Sequence, residues 1–146
     1  MKQFSSDKIP LLVADVFQLA GDFRRLGDRI AGSVGQTQAR WQVLSVASGG
    51  SHTVAQMARR LGYARQSVQR TADQLVSDGL ARYSPNPDHK SSPLCELTPA
   101  GAGMLGRIEK AATKWHTAIA NEIDSRDLAT ALRIVRNLRQ AVEEQI

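Results

Sequence analysis

Apolar residues recur at alternating intervals of four and three along the first part of the chain, which is the spacing of one stripe on an α-helix. Asp7 stands at the position of an N-terminal cap, Pro10 in the first turn, and Gly32 and Gly35 at the exit. The sequence therefore predicts a long helix over residues 7–32 with a single apolar face. That face consists of Leu12, Val16, Leu19, Phe23, Leu26 and Ile30.

Two shorter helices follow, and each has a recognisable start. The first begins near Thr37 and ends at residues 49–51, where two glycines and a serine interrupt the pattern. The second begins at Thr53, because Thr53 and Gln56 have the spacing of a capping box, in which each side chain accepts a hydrogen bond from the other residue's backbone N–H. Gly62 supplies the positive φ that a sharp turn needs at the end of this helix.

A fourth helix is predicted from Arg65 to Asp78, and it stops at Gly79. With the third helix it has the spacing of a helix-turn-helix, since Ala58 is small where the two helices would cross and Gly62 lies in the turn. The residues expected to fill the wedge between these helices are Met57, Leu61 and Val68.

After the fourth helix the pattern changes from helical to that of short strands. Residues 80–84 and 94–97 are predicted strands, and residues 85–93 between them are turn-forming throughout. We call this hairpin the wing. Thr98 and Pro99 then restart a helix, as its N-terminal cap and its first helical residue.

The last third of the chain predicts two more amphipathic helices, which separate at Asp124 and Ser125. The first carries the apolar residues Leu105, Ile108, Ala112, Trp115 and Ile119, and the second carries Leu128, Leu132, Val135, Leu138 and Val142.

Both ends of the chain thus share one pattern, an amphipathic helix that needs a partner, which favours packing across a dimer axis. We predict a mostly α fold with a small β-wing, a winged helix-turn-helix whose N- and C-terminal helices form a dimerisation unit. Within a single domain of residues 1–146, segments 7–35 and 99–146 are the dimerisation helices, and 37–98 is the DNA-binding lobe. The predicted dimer contacts are Leu12, Val16, Leu19, Phe23, Leu128, Leu132, Val135 and Leu138.

The composition narrows the class of protein. A chain of 146 residues fits one domain with its own core. It has no apolar run of about 18 residues that could span a membrane, and its first residues lack the apolar segment of a signal peptide. Cys95 is the only cysteine, which agrees with a reducing compartment. We therefore expect a cytoplasmic protein without membrane contact.

The net charge of +5 favours an acidic partner such as nucleic acid or an anionic membrane. Arginines outnumber lysines. Because the planar guanidinium group matches phosphate and guanine edges better than an ammonium group does, the balance favours nucleic acid.

The outward face of the fourth helix carries arginines together with polar residues that can bind DNA. Arginine can bind guanine, glutamine can bind adenine and serine can reach phosphate, and no acidic residue of this helix precedes Asp73. The alternative is a solvated helix face, but such faces usually mix acidic with basic residues. The predicted recognition-helix contacts are Ala64, Arg65, Gln66, Ser67, Gln69 and Arg70.

The wing adds basic residues at its tip. A basic side chain there could enter an adjacent minor groove of double-stranded DNA, where the negative potential is strong. The alternative is an ordinary solvent-exposed loop. The predicted contacts outside the recognition helix, at the start of the third helix and on the wing, are Thr53, His89, Lys90 and Ser91.

Catalytic sites find little support in the sequence. His52, His89 and His116 stand far apart, and no metal-binding spacing, phosphate-binding glycine loop or dinucleotide motif occurs. Cys95 could pair with a histidine as a nucleophile, but its place in an alternating strand favours a small core residue. We predict no enzyme activity, no cofactor and no metal.

The order of these elements resembles the multiple antibiotic resistance regulator (MarR) family from about Ile9 to Val142. The segments that carry the resemblance are 54–62 (VAQMARRLG), 74–80 (QLVSDGL), 86–90 (NPDHK) and 97–101 (LTPAG).

The resemblance implies a triangular homodimer in which the terminal helices interlock and two winged modules sit in consecutive major grooves of a pseudo-palindromic operator. It also implies that small aromatic, often phenolic, effectors relieve repression by binding where the dimerisation unit meets the DNA-binding lobe. Trp41, Trp115 and His116 are the pocket residues we predict, with ordinary packing as the alternative.

Two positions depart from the family's pattern. Members often carry Asp-Arg-Arg at the wing tip, whereas Asp88 is followed here by His89, Lys90 and Ser91. Lys90 is then the nearest replacement for the minor-groove arginine. The peroxide-sensing branch has a reactive cysteine in the first helix, but Cys95 lies in the wing, so thiol sensing of that type is not expected.

The predicted function is therefore that of a ligand-responsive repressor, in which a signal alters the distance between two recognition helices. Two rivals stay open at this point. One is a winged-helix module used for protein association, since a fold does not determine its function. The other is a small-molecule or redox sensor that does not read DNA directly.

Overall fold

A computed structural model describes residues 6–146. The helices are α1 (Ile9–Gly32), α2 (Gln38–Ser48), α3 (Val54–Leu61), α4 (Arg65–Ser77), α5 (Pro99–Asn121) and α6 (Ser125–Glu143), and the strands are β1 (His52–Thr53), β2 (Ala81–Ser84) and β3 (Leu94–Leu97). The chain forms two compact units, of which one ends at Ala111 and the other is Ala112–Ile146. Across the described part of the chain, every helix is too short or too polar to cross a bilayer. The predicted fold class, mostly α with a small β-wing, is confirmed.

The start of the first helix differs from the prediction. Asp7 lies in a short 3₁₀ turn, Ser6–Lys8, and α1 begins at Ile9 without a side-chain cap. Asp7 is therefore not the cap, since the residue before the helix is Lys8. Pro10 is in the first turn as predicted, where its fixed φ suits the helix and its missing N–H costs no hydrogen bond.

The next two helices begin near the residues that the sequence predicts, and each has a side-chain cap. The Thr37 side chain accepts from the backbone N–H of Arg40 at 3.2 Å. Thr53 and Gln56 form both hydrogen bonds of a capping box, at 3.1 and 2.9 Å. Gly62 ends α3 with a φ of 70°, a left-handed conformation that glycine adopts without strain. Short-range hydrogen bonding thus determines the turn between α3 and α4.

A three-stranded antiparallel sheet lies beside the helix-turn-helix, in the order β1-β3-β2. The two wing strands were predicted, with β2 beginning one residue later, whereas β1 was missed because two residues are too few for an alternating pattern. β1 pairs His52 with Cys95 and Thr53 with Leu94. The start of α3 is therefore hydrogen-bonded to the base of the wing.

Apolar residues from α2, α3, α4 and the sheet form the core of the first unit, together with the beginning of α5. Val68, Ala72 and Leu75 are the buried face of α4, at most 1% exposed. The largest fully buried side chains are Leu44, Met57, Leu75, Ile108, Val43, Val68 and Cys95. Burial of Met57 and Val68 against Ala58 confirms the predicted helix-turn-helix wedge, with Leu61 half-buried at its margin.

The start of α5 is anchored to the strand that leads into the wing. The Thr98 hydroxyl donates to the carbonyl of Gly79 at 2.6 Å and accepts from the backbone N–H of Gly101 at 3.1 Å. The backbone N–H of Thr98 donates to the carbonyl of Leu80 at 3.2 Å. Thr98 is thus the predicted cap, and it ties this helix to the chain just before β2.

The second unit contains the end of α5 and all of α6. Asp124 caps α6 by accepting from the backbone N–H of Arg126 at 2.8 Å, at the predicted break between helices. Within this unit, large apolar side chains of α6 are exposed: Leu128, Leu132, Ile134, Val135 and Val142.

The first unit has an exposed apolar surface of its own along α1. Its exposed large apolar side chains are Ile9, Leu11, Leu12, Val13, Val16, Phe17, Leu19 and Phe23. Phe17, absent from the predicted stripe, is the most exposed of these at 75%. Apolar surface of this extent on two helices usually marks an association site.

Candidate nucleic-acid interface

The first half of α4 presents a surface of hydrogen-bond donors. Arg65, Gln66, Ser67 and Arg70 are exposed, while Val68 on the opposite side is buried. The buried face docks the helix against the lobe, so the polar side chains project from a fixed backbone. Long donors on a rigid helix are what reading of a major groove requires.

The N-terminus of α4 differs from those of α2 and α3 because it has no side-chain cap. Ala64 occupies the position before the helix and offers no side-chain cap. Backbone N–H groups of a first helical turn have no partner within the helix, and the helix dipole favours negative charge there. Ala64 can therefore leave room for a DNA phosphate, although its methyl group carries no base-reading chemistry.

The two acidic residues at the middle and the end of α4 are paired. Asp78 accepts from the guanidinium group of Arg40 at 2.6 Å, a contact that joins the end of α4 to α2. Asp73 accepts from Gln69 and Tyr83. Because partners neutralise or occupy both carboxylates, they repel an approaching phosphate less than free carboxylates would.

Gln69 differs from the other predicted contacts because two neighbouring side chains hold its amide at the surface of the lobe. Its Nε2 lies 3.0 Å from Asp73 Oδ1 and 3.0 Å from the hydroxyl oxygen of Tyr83. The Tyr83 hydroxyl donates to the same Oδ1 at 2.5 Å. Burial, and then the hydrogen bond to Asp73, raises the pKa of Tyr83, so the phenol stays protonated. Sequence reasoning missed this cluster, although the spacing of Gln69 and Asp73 by four residues was a signal for half of it.

The wing tip is ordered by its own side chains. Asn86 Oδ1 accepts from the backbone N–H of Asp88 at 3.0 Å, and Asn86 Nδ2 donates to the carbonyl of Ser92 at 3.0 Å. His89 Nδ1 lies 3.1 Å from the hydroxyl of Ser91. Lys90 is exposed and has no ion pair among the residues described here. The tip therefore presents its one lysine on a defined loop.

The carboxylate of Glu96, on wing strand β3, accepts hydrogen bonds from three nearby side chains. Glu96 accepts from Ser84 at 2.8 Å, from Ser51 at 2.9 Å and from Arg82 at 3.2 Å. These hydrogen bonds, that of Ser84 first, lower the pKa of Glu96. Arg82 is thereby held to the wing by an ion pair.

Two concave surfaces bring the predicted contacts of separate elements together. A cleft of about 540 Å³ between α3 and the wing contains Thr53 and His89, and adds Gln56 and Arg59, which were not predicted as contacts. A depression of about 50 Å³ is lined by residues from the start of α3, from α4 and from the wing. Its polar lining residues are Thr53, Arg65, Gln69, Ser91 and Ser92. Predicted residues from α3, α4 and the wing thus share one side of the first unit.

The three residues of the predicted effector pocket belong to different units of the chain. Trp41 is half-buried on α2, in the first unit. Trp115 and His116 belong to the second unit, where the Lys114 ammonium lies 5.2 Å from the centre of the Trp115 ring. The first unit has a separate crevice of about 240 Å³, lined by α1, α2 and α4, that contains none of the three.

Cys95 is fully buried in β3, opposite Tyr83 in the sheet. Burial, and then the nearby Glu96, raises the pKa of the thiol to about 11. Because the thiolate is the reactive form, alkylation at neutral pH should be about 100-fold or more slower in the folded protein than in the unfolded chain. Mass spectrometry of iodoacetamide-treated protein measures this ratio. Fast modification of the folded protein with loss of DNA binding would favour the thiol-sensor alternative.

Comparison with known proteins agrees with this geometry. A family model described as MarR family matches residues 35–90. An uncharacterized protein of Mycobacterium tuberculosis is 46% identical over 140 residues, 96% of this chain and 98% of its own length.

Solved structures share the fold. The structure of a MarR mutant from E. coli complexed with operator DNA superposes with a TM-score of 0.77 at 22% identity, covering 94% of this chain and 99% of that one. The transcriptional regulator BldR from Sulfolobus solfataricus gives a TM-score of 0.80 at 14% identity, over 92% and 99% of the two chains.

Proposed function

The chain belongs to the MarR family of DNA-binding transcriptional regulators, and we propose that it is a homodimeric, ligand-responsive repressor that reads a pseudo-palindromic operator. The family and fold are those of regulators rather than enzymes, and no catalytic activity is part of the proposal. A repressor acts in the compartment that holds the DNA, so we expect the protein to be cytoplasmic and to have no membrane partner.

One observation carries the proposal: the exposed donors of α4 lie on the same side of the first unit as the wing, with both carboxylates of the α4 segment paired. Arg65 and Ser91 line one depression, and Asp73 and Asp78 have partners inside the lobe. Phosphate and base edges in a major groove offer many acceptors, so a donor-rich surface is complementary to them.

We propose that α4 enters the major groove and that the cleft beside α3 accommodates the sugar-phosphate backbone. Thr53, His89, Lys90 and Ser91 would then contact phosphates or the adjacent minor groove. Lys90 supplies one positive charge where the family often has two arginines, so the wing should contribute less to affinity than α4 does.

The dimer part of the proposal rests on the exposed apolar surfaces of α1 and α6. Two half-sites read by one dimer must be separated by about one helical turn, roughly 34–36 Å. An effector that changes the spacing of the two α4 helices would prevent both from docking at once, which lowers operator affinity. A small aromatic or phenolic molecule is the effector we propose.

The recognition-helix assignment is tested by single alanine substitutions. Arg65→Ala and Arg70→Ala should each weaken binding to the operator by about 1–3 kcal/mol, because each removes a guanidinium group from the groove. Binding to the DNA upstream of the protein's own gene, followed by fluorescence anisotropy at several salt concentrations, measures the loss. A variant that loses a phosphate contact should also reduce the log–log salt slope by about 0.9.

Arg133→Ala is the matched control, since it removes the same charge from an exposed position of α6 about 100° around the helix axis from the predicted dimer contact Leu132. It should change operator affinity much less than either α4 variant does. Unchanged affinity for both α4 variants would mean that α4 does not contact the DNA. A salt-independent affinity of the unmodified protein would favour the rival role in protein association.

A further inference from the structure

Gln69 is the one predicted base contact whose amide is oriented by neighbouring side chains. Gln69 Nε2, Asp73 Oδ1 and the Tyr83 hydroxyl oxygen form a triangle with sides of 3.0, 3.0 and 2.5 Å. The cluster joins the middle of α4 to strand β2 of the wing. In the proposed function, its one role is to occupy the Asp73 carboxylate.

The chemistry of the cluster determines which end of the Gln69 amide faces it. An ionised carboxylate can only accept hydrogen bonds, and the Tyr83 hydroxyl uses its single proton on Asp73. The oxygen of Gln69 would find no donor there, so the NH₂ group must face the cluster.

The geometry further limits what that NH₂ group does. The triangle opens only about 50° at Nε2, whereas the two N–H bonds of an amide diverge by about 120°. A single N–H is therefore shared between the carboxylate and the phenol oxygen. Oε1 accepts no hydrogen bond in the described structure and is not among its buried atoms without a partner, so this oxygen keeps some contact with solvent.

We propose that Asp73 and Tyr83 are positioning residues that determine the base preference of Gln69 by holding its carbonyl oxygen outward. The proposal rests on the proposed function, with α4 in the major groove. An outward acceptor is complementary to a base with an amino group in that groove, which is N6 of adenine or N4 of cytosine. Guanine and thymine present acceptors at the equivalent edge and are disfavoured.

The alternative is that the cluster only braces the wing against α4. A brace affects affinity for every DNA sequence equally, whereas an oriented acceptor affects one base position. Asp73→Asn separates the two, because it keeps the shape of the side chain but adds a donor. The Gln69 amide can then turn over and present its NH₂ group, which guanine and thymine accept.

The experiment is selection of bound sequences from a randomised operator library with the full-length protein. One position in each half-site should favour adenine or cytosine by about tenfold over guanine or thymine. Gln69→Ala should abolish the preference there and nowhere else, which identifies the position. Asp73→Asn and Tyr83→Phe should reduce it to about threefold or less while the other positions keep theirs.

Tyr63→Phe is the matched control, because Tyr63 is the chain's other tyrosine and its hydroxyl lies 3.4 Å from Gln38 Oε1, away from the cluster. It should leave the whole selected sequence unchanged. Thermal unfolding shows whether each variant is folded. If Tyr83→Phe does not fold, Asp73→Asn tests the proposal by itself.

Three outcomes overturn the inference alone: a guanine or thymine at the position that Gln69→Ala identifies, no such position, or an equal loss of affinity for all bases in Asp73→Asn and Tyr83→Phe. If the unmodified protein selects no sequence, the proposed function fails and the inference fails with it.

Discussion

Gly101→Ala should destabilise the protein by about 3 kcal/mol or more, because a Cβ atom at this position of α5 overlaps the backbone of Leu80, just before β2. The atom would meet the Leu80 carbonyl oxygen well inside van der Waals contact, and it would lie 2.9 Å from the Leu80 carbonyl carbon and 3.2 Å from Leu97 Cδ2. Backbone cannot rotate away as a flexible side chain can. Relief would therefore break the hydrogen bond from Thr98 to Leu80, which adds about 1 kcal/mol to the cost.

Gly103→Ala is a stringent control, two residues further along the same helix. A Cβ atom there has no neighbour within 4 Å, and alanine favours a helix over glycine by up to about 1 kcal/mol. The two substitutions should thus shift the unfolding transition in opposite directions, with the Gly101 variant melting about 6 °C lower or more. Circular dichroism during heating measures both. Equal small shifts would mean that α5 does not approach Leu80 this closely.

The parts of the fold that the sequence predicts well are those held by local interactions. Thr53 and Gln56 are three residues apart, and Gly62 supplies a backbone conformation that few other residues adopt, so their roles follow from short spacings. Asp7 shows the limit of this approach. A residue with capping chemistry stands near the helix start, but the chain enters α1 through a 3₁₀ turn and uses no cap.

The parts that could not be predicted depend on contacts between distant segments. Gln69 looks like a free donor on the helix, and only the pairing of β2 with β3 brings Tyr83 against it. The short strand β1 exists because β3 lies beside it. The base preference that we propose for Gln69 thus depends on the wing, although periodicity alone assigns it to α4.

Leu132→Glu should convert the proposed dimer to a monomer and reduce operator affinity by about 100-fold or more. Leu132 is 50% exposed on α6, so in a lone chain the substitution would change stability by only about 0.5 kcal/mol or less. In an apolar dimer interface the same carboxylate would lose water without gaining a partner, at a cost of several kcal/mol per subunit. Half-sites held by separate monomers also lose the effective concentration that linkage provides.

Asn137→Glu provides the matched control, because it adds the same charge to the same helix about 140° around the axis from Leu132. Analytical ultracentrifugation should show a dimer for this variant and a monomer for Leu132→Glu, with circular dichroism confirming that both are folded. A dimeric Leu132→Glu protein would move the interface off this face of α6. A monomeric but fully binding Leu132→Glu protein would contradict cooperative reading of two half-sites, because each winged module would then suffice on its own.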